Sequence, residues 1–144
     1  MRVLVRNLAI ISISALALSG CMSTYTVAGQ FEGSGQAFFG TVTVGMGQSG
    51  ALDVSSADGR VKCTGASQVM KIPSGFSLVG GQGAATATCT DGRTFKVDFV
   101  QTSESGGHGQ GIDDRGSVVQ IYFDTSDGLA RSQLDQHRIN TLIQ

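Results

Sequence analysis

The run Cys89-Thr90-Asp91-Gly92-Arg93-Thr94-Phe95-Lys96-Val97-Asp98-Phe99 turns once and then alternates. Asp-Gly readily takes the positive φ angles that a tight hairpin turn requires. Beyond it, Phe95, Val97 and Phe99 fall on one side of the chain, and Thr94, Lys96 and Asp98 on the other. A two-residue period marks a strand with one face in a core and the other in water. Upstream, Ala85-Thr86-Ala87-Thr88-Cys89 alternates in the same way. The whole predicts a β-hairpin, with Arg93 starting the return strand and its charge in solvent.

The cadence recurs on both sides. Gly47-Gln48-Ser49-Gly50-Ala51-Leu52-Asp53-Val54 leads to Ala57-Asp58-Gly59-Arg60 and then Val61-Lys62-Cys63. Gly109-Gln110-Gly111-Ile112-Asp113 leads to Asp114-Arg115-Gly116 and then to a strand from Val118 to Phe123. Val42 and Val44 supply an earlier alternating pair. Ser67 to Ile72 offers one more strand, stopped by Pro73-Ser74-Gly75, and Phe76 to Val79 a short one. The chain holds 21 glycines, one proline and no tryptophan. Glycine is costly inside helices and strands and useful in turns, so the composition predicts short strands joined by tight turns. Ser126-Asp127 is placed to cap a helix from about Gly128 to Leu142. The expected fold is all-β: a small sandwich or barrel-like antiparallel meander with one disulfide and a C-terminal helix. The Gly-x-Gly, Asp-Gly-Arg, aromatic cadence resembles the MORN-type hairpin repeat. That resemblance implies a β-meander rather than an activity.

The N-terminal residues address the chain. Arg2 and Arg6 precede an apolar run from Leu8 to Leu18 that is broken only by Ser12 and Ser14. The run is short for a bilayer span, and small residues follow it, as in a signal peptide. Leu18-Ser19-Gly20-Cys21 resembles the lipobox of bacterial lipoproteins. The resemblance implies cleavage before Cys21, lipid on its thiol, and attachment to a membrane through that lipid. The expected organisation is a signal peptide over 1–20, a lipidated N-terminus and tether over 21–35, and a β-rich periplasmic domain over 36–144, with Ser23-Thr24-Tyr25-Thr26-Val27 either pairing as a first strand or only leading away from the membrane. In enteric lipoproteins an Asp directly after the cysteine is the usual inner-membrane retention signal. Met22 and Ser23 stand there instead, which favours the outer membrane, facing the periplasm.

With Cys21 assigned to lipid by that resemblance, Cys63 and Cys89 remain. An even pair in an oxidising compartment reads most simply as a structural disulfide, expected here to join two inward faces across the core. A metal site lacks a nearby His or Cys to complete the ligands, and a redox pair normally has Cys-x-x-Cys spacing. Two free thiols are the remaining reading.

Candidate chemistry is sparse. His108 lies in Ser105-Gly106-Gly107-His108-Gly109-Gln110-Gly111 with Asp113 and Asp114 nearby. The acids lack the regular spacing of a calcium loop, and the segment reads as an exposed, flexible hairpin tip. His137, between Gln136 and Arg138, reads as a solvated helical residue. The chain has no Gly-x-Ser-x-Gly nucleophile elbow, and Gly81-Gln82-Gly83 lacks the Lys-Ser/Thr of a phosphate loop. The turn residues Arg60, Arg93 and Arg115 are candidates to line one rim and meet an anionic partner. After Gly20, eight basic side chains face eleven acidic ones. That balance argues against a nucleic-acid partner, which needs clustered Lys and Arg. No catalytic residue, cofactor or metal is assigned.

A further resemblance is to periplasmic lysozyme inhibitors of the membrane-bound C-type class, carried by Cys89-Thr90-Asp91-Gly92-Arg93-Thr94-Phe95-Lys96-Val97-Asp98-Phe99. It implies a small β-barrel lipoprotein that inhibits a hydrolase. The chain departs from that family's Ser-Gly-x-x-Tyr segment and from its downstream partner cysteine. The expected function is therefore a lipid-anchored, non-enzymatic binding or structural module with an envelope protein partner. The alternative is an inhibitor of a periplasmic hydrolase such as lysozyme, with a hydrolytic enzyme third.

Overall fold

The computed structural model describes residues 21–144; the expected signal peptide lies outside the described residues. Eight strands run in sequence order: β1 (Ser23–Phe31), β2 (Gln36–Val44), β3 (Ser49–Ser56), β4 (Lys62–Lys71), β5 (Gln82–Cys89), β6 (Thr94–Gln101), β7 (Gly106–Asp113) and β8 (Val118–Asp124). Each pairs antiparallel with the next, and β8 pairs with β1 to close a barrel. Helix α1 (Asp127–Ile143) follows. Of the two expected architectures the barrel is the one formed. Closure leaves no strand edge unpaired, which a sandwich of these strands would not achieve.

The period-2 pattern sets what faces in. Val27 and Phe31, Leu52 and Val54, Ala85 and Ala87, Phe95 and Val97, and Val119, Ile121 and Phe123 form one buried core. Thr41, Asp53, Thr64, Thr86, Thr88, Lys96, Asp98 and Gln110 point outward and are exposed. That polar exterior reverses the apolar outer band of a barrel that spans a bilayer. One outward sector is apolar and small: Ala28 and Ala37 are buried beneath Ala130 and Leu134 of α1, with Phe39 and Tyr122 packed alongside. Small residues on the sheet let the helix lie close. Ser126 occupies the N-cap position but makes no side-chain cap bond; Asp127 instead pairs with Arg131 at 3.0 Å.

Several boundaries move. Residues 23–31 are a barrel strand rather than a tether, because β1 carries buried Val27, Ala28 and Phe31 and pairs on both sides. The domain therefore begins near residue 23, not 36. The two expected strands, Val61 to Cys63 and Ser67 to Ile72, merge into one run, β4 (Lys62–Lys71), which stays extended through Gly65 and leaves Val61 and Ile72 just outside it. Phe76 to Val79 forms no strand; it lies in the β4–β5 loop, between Gly75 at φ 100° and Gly80 at φ 93°. The Gly-rich segment expected as a flexible tip is mostly strand β7, with Gly107 and Gly109 buried.

The Cys63–Cys89 disulfide is present. It links directly paired neighbours on β4 and β5, with Cα atoms 3.9 Å apart, and does not cross the core. The residues are 26 apart in sequence, so the bond removes denatured-state freedom worth roughly 3–4 kcal/mol. A Cys63→Ala/Cys89→Ala double variant is expected to lose about 3 kcal/mol in urea unfolding. Wild type unfolded in a strong reductant should shift to the same midpoint; an unshifted midpoint would show that the bond does not stabilise the fold.

Candidate functional site

The meander sorts its connections to two ends. The β1–β2, β3–β4, β5–β6 and β7–β8 turns gather at one end; the β2–β3, β4–β5 and β6–β7 connections gather at the other, with Cys21.

The first end is closed. Phe31, Phe38 and Phe95 form a mutual aromatic cluster with ring centroids 5.2–5.9 Å apart. Arg93 plugs it from outside. Its guanidinium carbon lies 3.9 Å from the Phe31 ring centroid. Its Nε donates to Asp91 Oδ2 at 2.7 Å and its Nη2 to Gln36 Oε1. The Arg93 residue is 5% exposed. Burial alone raises the Asp91 pKa, but the Arg93 backbone N–H, its guanidinium and its charge hold the carboxyl below its ordinary 3.8.

The three turn arginines therefore do not share a role. Gly59, Gly92 and Gly116 all take positive φ; the turns of Gly92 and Gly116 hold three residues between Cys89 and Arg93 and between Asp113 and Ser117, and that of Gly59 holds four between Ser56 and Val61. Aligned on those glycines, Arg60 and Arg93 correspond, but Arg115 precedes its glycine. Arg60 is 85% exposed in its side chain and 3.9 Å from Asp58. Arg115 is exposed. The expected rim of three arginines is corrected on this point: the turns share an end, but Arg93 has turned inward to stack on Phe31. The repeated carboxylates share a different task. Asp58, Asp91 and Asp113 each accept the backbone N–H of the residue two positions on, Arg60, Arg93 and Arg115, which is the Asx-turn that fixes such loops.

The other end is open. A cavity of about 320 Å³ enters the barrel there. Val27, Leu52, Ala85 and Ile121 line it at buried positions, with Tyr25, Phe99 and Phe123 along the wall. Tyr25 and Phe99 each meet Phe123 edge-on, at 5.7 and 5.6 Å. Met46, Ile72 and Leu78 rim the mouth, together with Cys21, Gln48, Gln101 and Lys71. An eight-stranded barrel is just wide enough to be filled by side chains or to hold one small ligand. Here the closed half is filled by three phenylalanines, and the open half carries Ala85, Ser67 and Gly81 among its lining residues, which leaves space.

One loop shapes the mouth. Residues 72–81 hang from β6 through Gly80 N–H to Gln101 O and Gln101 N–H to Gly81 O, both 2.8 Å. Midway, the Glu104 carboxylate accepts from the Ser77 hydroxyl and from Leu78 N–H. These two bonds, the Ser77 one first, hold Glu104 below the usual carboxylate range. So held, the loop leaves Ile72, Phe76, Leu78 and Val79 at 45–108% exposure. Phe76 to Val79 signalled this in the sequence as an apolar run, but it reads there as a strand.

The two histidines lie elsewhere, outside the barrel wall. His108 is exposed on β7, with its ring 6.4 Å from Tyr122. His137 on α1 is half-buried rather than solvated and lies 2.7 Å from Glu32. Burial first, and then the Glu32 charge, raises the Tyr122 pKa. This cluster fastens α1 to the barrel. Among the described residues no three His, Cys, Asp or Glu side chains converge as a metal-ligand set.

No family model matches the chain, and no curated protein matches it. Among solved structures the barrel is similar to a de novo designed fluorescence-activating β-barrel, at 17% identity and a TM-score of 0.52. The match covers 72% of this chain and 91% of that one. At that identity the likeness concerns the closed-barrel fold alone.

Proposed function

We propose that this chain is a lipid-anchored cell-envelope lipoprotein, held at the outer membrane facing the periplasm, and that it acts as a non-enzymatic binding module through the open mouth of its barrel. One observation carries this reading: Cys21, the residue that the lipobox resemblance assigns to lipid, lies at the rim of the apolar cavity. Strand β1 begins at Ser23, so the anchor and the barrel are separated by a reach of roughly 7 Å at most. An anchor that short holds the mouth against the membrane and turns the Arg93-plugged end away from it. The polar exterior supports a barrel that stands in water beside the bilayer.

In cells producing the full chain, Cys21→Ser is expected to move the protein from the membrane fraction to the soluble periplasmic fraction. Cys63 and Cys89 should stay unreactive to thiol reagents. A variant that stays with membranes would overturn the anchoring. Crosslinking and pull-down from the same cells addresses the partner. An envelope complex supports the module, whereas a muralytic enzyme as the main captured protein would favour the inhibitor reading instead.

A further inference from the structure

We infer that the mouth cavity takes the hydrocarbon chain of a single-chain anionic amphiphile of the fatty-acid type, with its carboxylate at Lys71. This rests on the mouth being the binding site, and it goes further by naming the ligand's chemistry.

Three features of the cavity select such a ligand. The first is its lining. Val27, Leu52, Ala85 and Ile121 are each at most 6% exposed and offer no polar atom of their side chains, and the buried hydroxyl beside them, that of Ser67, is turned to the Thr43 carbonyl at 3.4 Å. A polar ligand would leave its hydrogen bonds unmade at that depth, at a cost of about 1–3 kcal/mol per group. The second is shape. The volume of about 320 Å³ is roughly twice that of an apolar cavity of about 150 Å³ that holds benzene. It lies within the bore of an eight-stranded barrel, so the extra length runs along the axis. A slim chain fits such a space. The third is charge. Lys71 is the one charged side chain among the cavity's described lining residues, and it is exposed at the end of β4, where the mouth meets solvent. An ammonium with three donors at the rim, above an apolar shaft, matches a carboxylate on a hydrocarbon chain.

The rim supplies the route. Ile72, Phe76, Leu78 and Val79 are exposed apolar side chains on the loop that borders the opening. Apolar surface around a pocket entrance lets a chain pass from a lipid phase into the barrel without crossing water.

The test uses the full chain carrying Cys21→Ser, so that no detergent competes for the site. Dodecanoate and dodecanol are titrated as competitors of a fluorescent polyene fatty acid. Both are expected to displace the probe. Lys71→Glu is expected to weaken dodecanoate roughly three- to tenfold, through loss of an exposed attraction and gain of a repulsion, and to leave dodecanol unchanged. Ala85→Phe, which fills the shaft, is expected to weaken both ligands by more than tenfold. Val42→Phe on the half-buried wall should act in the same direction and serves if Ala85→Phe does not fold. If Lys71→Glu leaves dodecanoate unaffected, or weakens acid and alcohol equally, the anionic-headgroup inference is overturned and the apolar mouth stands. If neither ligand displaces the probe, nor the probe itself binds, the inference and the mouth as a binding site fall together.

Discussion

Arg93→Ala is expected to cost about 2–4 kcal/mol of barrel stability, while Arg60→Ala and Arg115→Ala each stay within about 0.5 kcal/mol of wild type. The difference follows from where the three side chains go. Arg60 and Arg115 are exposed, and an exposed ion pair such as Arg60–Asp58 contributes little. Arg93 is buried under the closed end, stacked on Phe31 and bonded to Asp91 and Gln36. Truncation removes the stacking, worth about 0.5–2 kcal/mol, leaves the Gln36 carbonyl without its donor, and opens a void below the phenylalanine cluster. Arg93→Lys should recover only a small part, because one ammonium cannot lie flat on Phe31 while forking to two acceptors. Urea midpoints of the four variants decide the matter; equal midpoints for Arg60→Ala and Arg93→Ala would sink the plug.

The same plug makes a pH prediction. Asp91 titrates below its ordinary 3.8 in the folded barrel. A carboxyl depressed by folding contributes stability that is fully present above its unfolded pKa and is lost as pH falls through the folded one. Wild type and Arg93→Ala should therefore differ by a constant margin at neutral pH, and the gap should narrow as Asp91 is protonated below about pH 4, leaving the part that comes from packing on Phe31 and the bond to Gln36. A gap that persists unchanged into acid would assign the effect to packing on Phe31 alone.

The alternating residues around the Asp-Gly turns announced which side chains face the core, because a strand's period survives any architecture that buries one face. Phe95, Val97, Val119, Ile121 and Phe123 all lie inside. The C-terminal helix was legible from its local start signal at Ser126-Asp127, and the cysteine pair from the count left once Cys21 is assigned to lipid. Closure was not, since sandwich and barrel share the same alternation and differ only in whether β1 meets β8. The short apolar stretch of β1, with Gly29 in its middle, gave no strong strand signal; β2 and β8 hold it in place from both sides. Arg93 reads as a turn charge because nothing local reveals that Phe31, far upstream, ends beneath it. The cavity is the least legible feature. It depends on Phe31, Phe38 and Phe95 meeting across one end of the barrel while Ala85, Ser67 and Gly81 leave space among the aromatics of the other, an arrangement that exists only once the strands are in register.

Glycine carries the last and largest expected effect. Gly65 and Gly111 lie within strands on the inward face rather than in turns. A Cβ built on Gly111 would stand 1.7 Å from the Lys96 carbonyl oxygen of β6, and one on Gly65 would stand 1.7 Å from the Thr86 carbonyl oxygen of β5. In each case the obstacle is the neighbouring backbone, which cannot step aside without breaking the ladder. Strands in a closed barrel must bend tightly, and glycine on the inner face is what lets two backbones approach at a bend. Gly111→Val is therefore expected to cost on the order of 4–5 kcal/mol or more, which removes most of the stability of a domain this size. Loss of cooperative urea unfolding and of the β-type circular dichroism would report it. Gly128→Ala is the matched contrast: nothing lies within 4 Å of its Cβ position at the start of α1, and replacing a helical glycine there should stabilise by up to about 1 kcal/mol. If Gly111→Val instead folds with a near-native midpoint, the inner glycines are incidental and the barrel's curvature must be imposed by the turns.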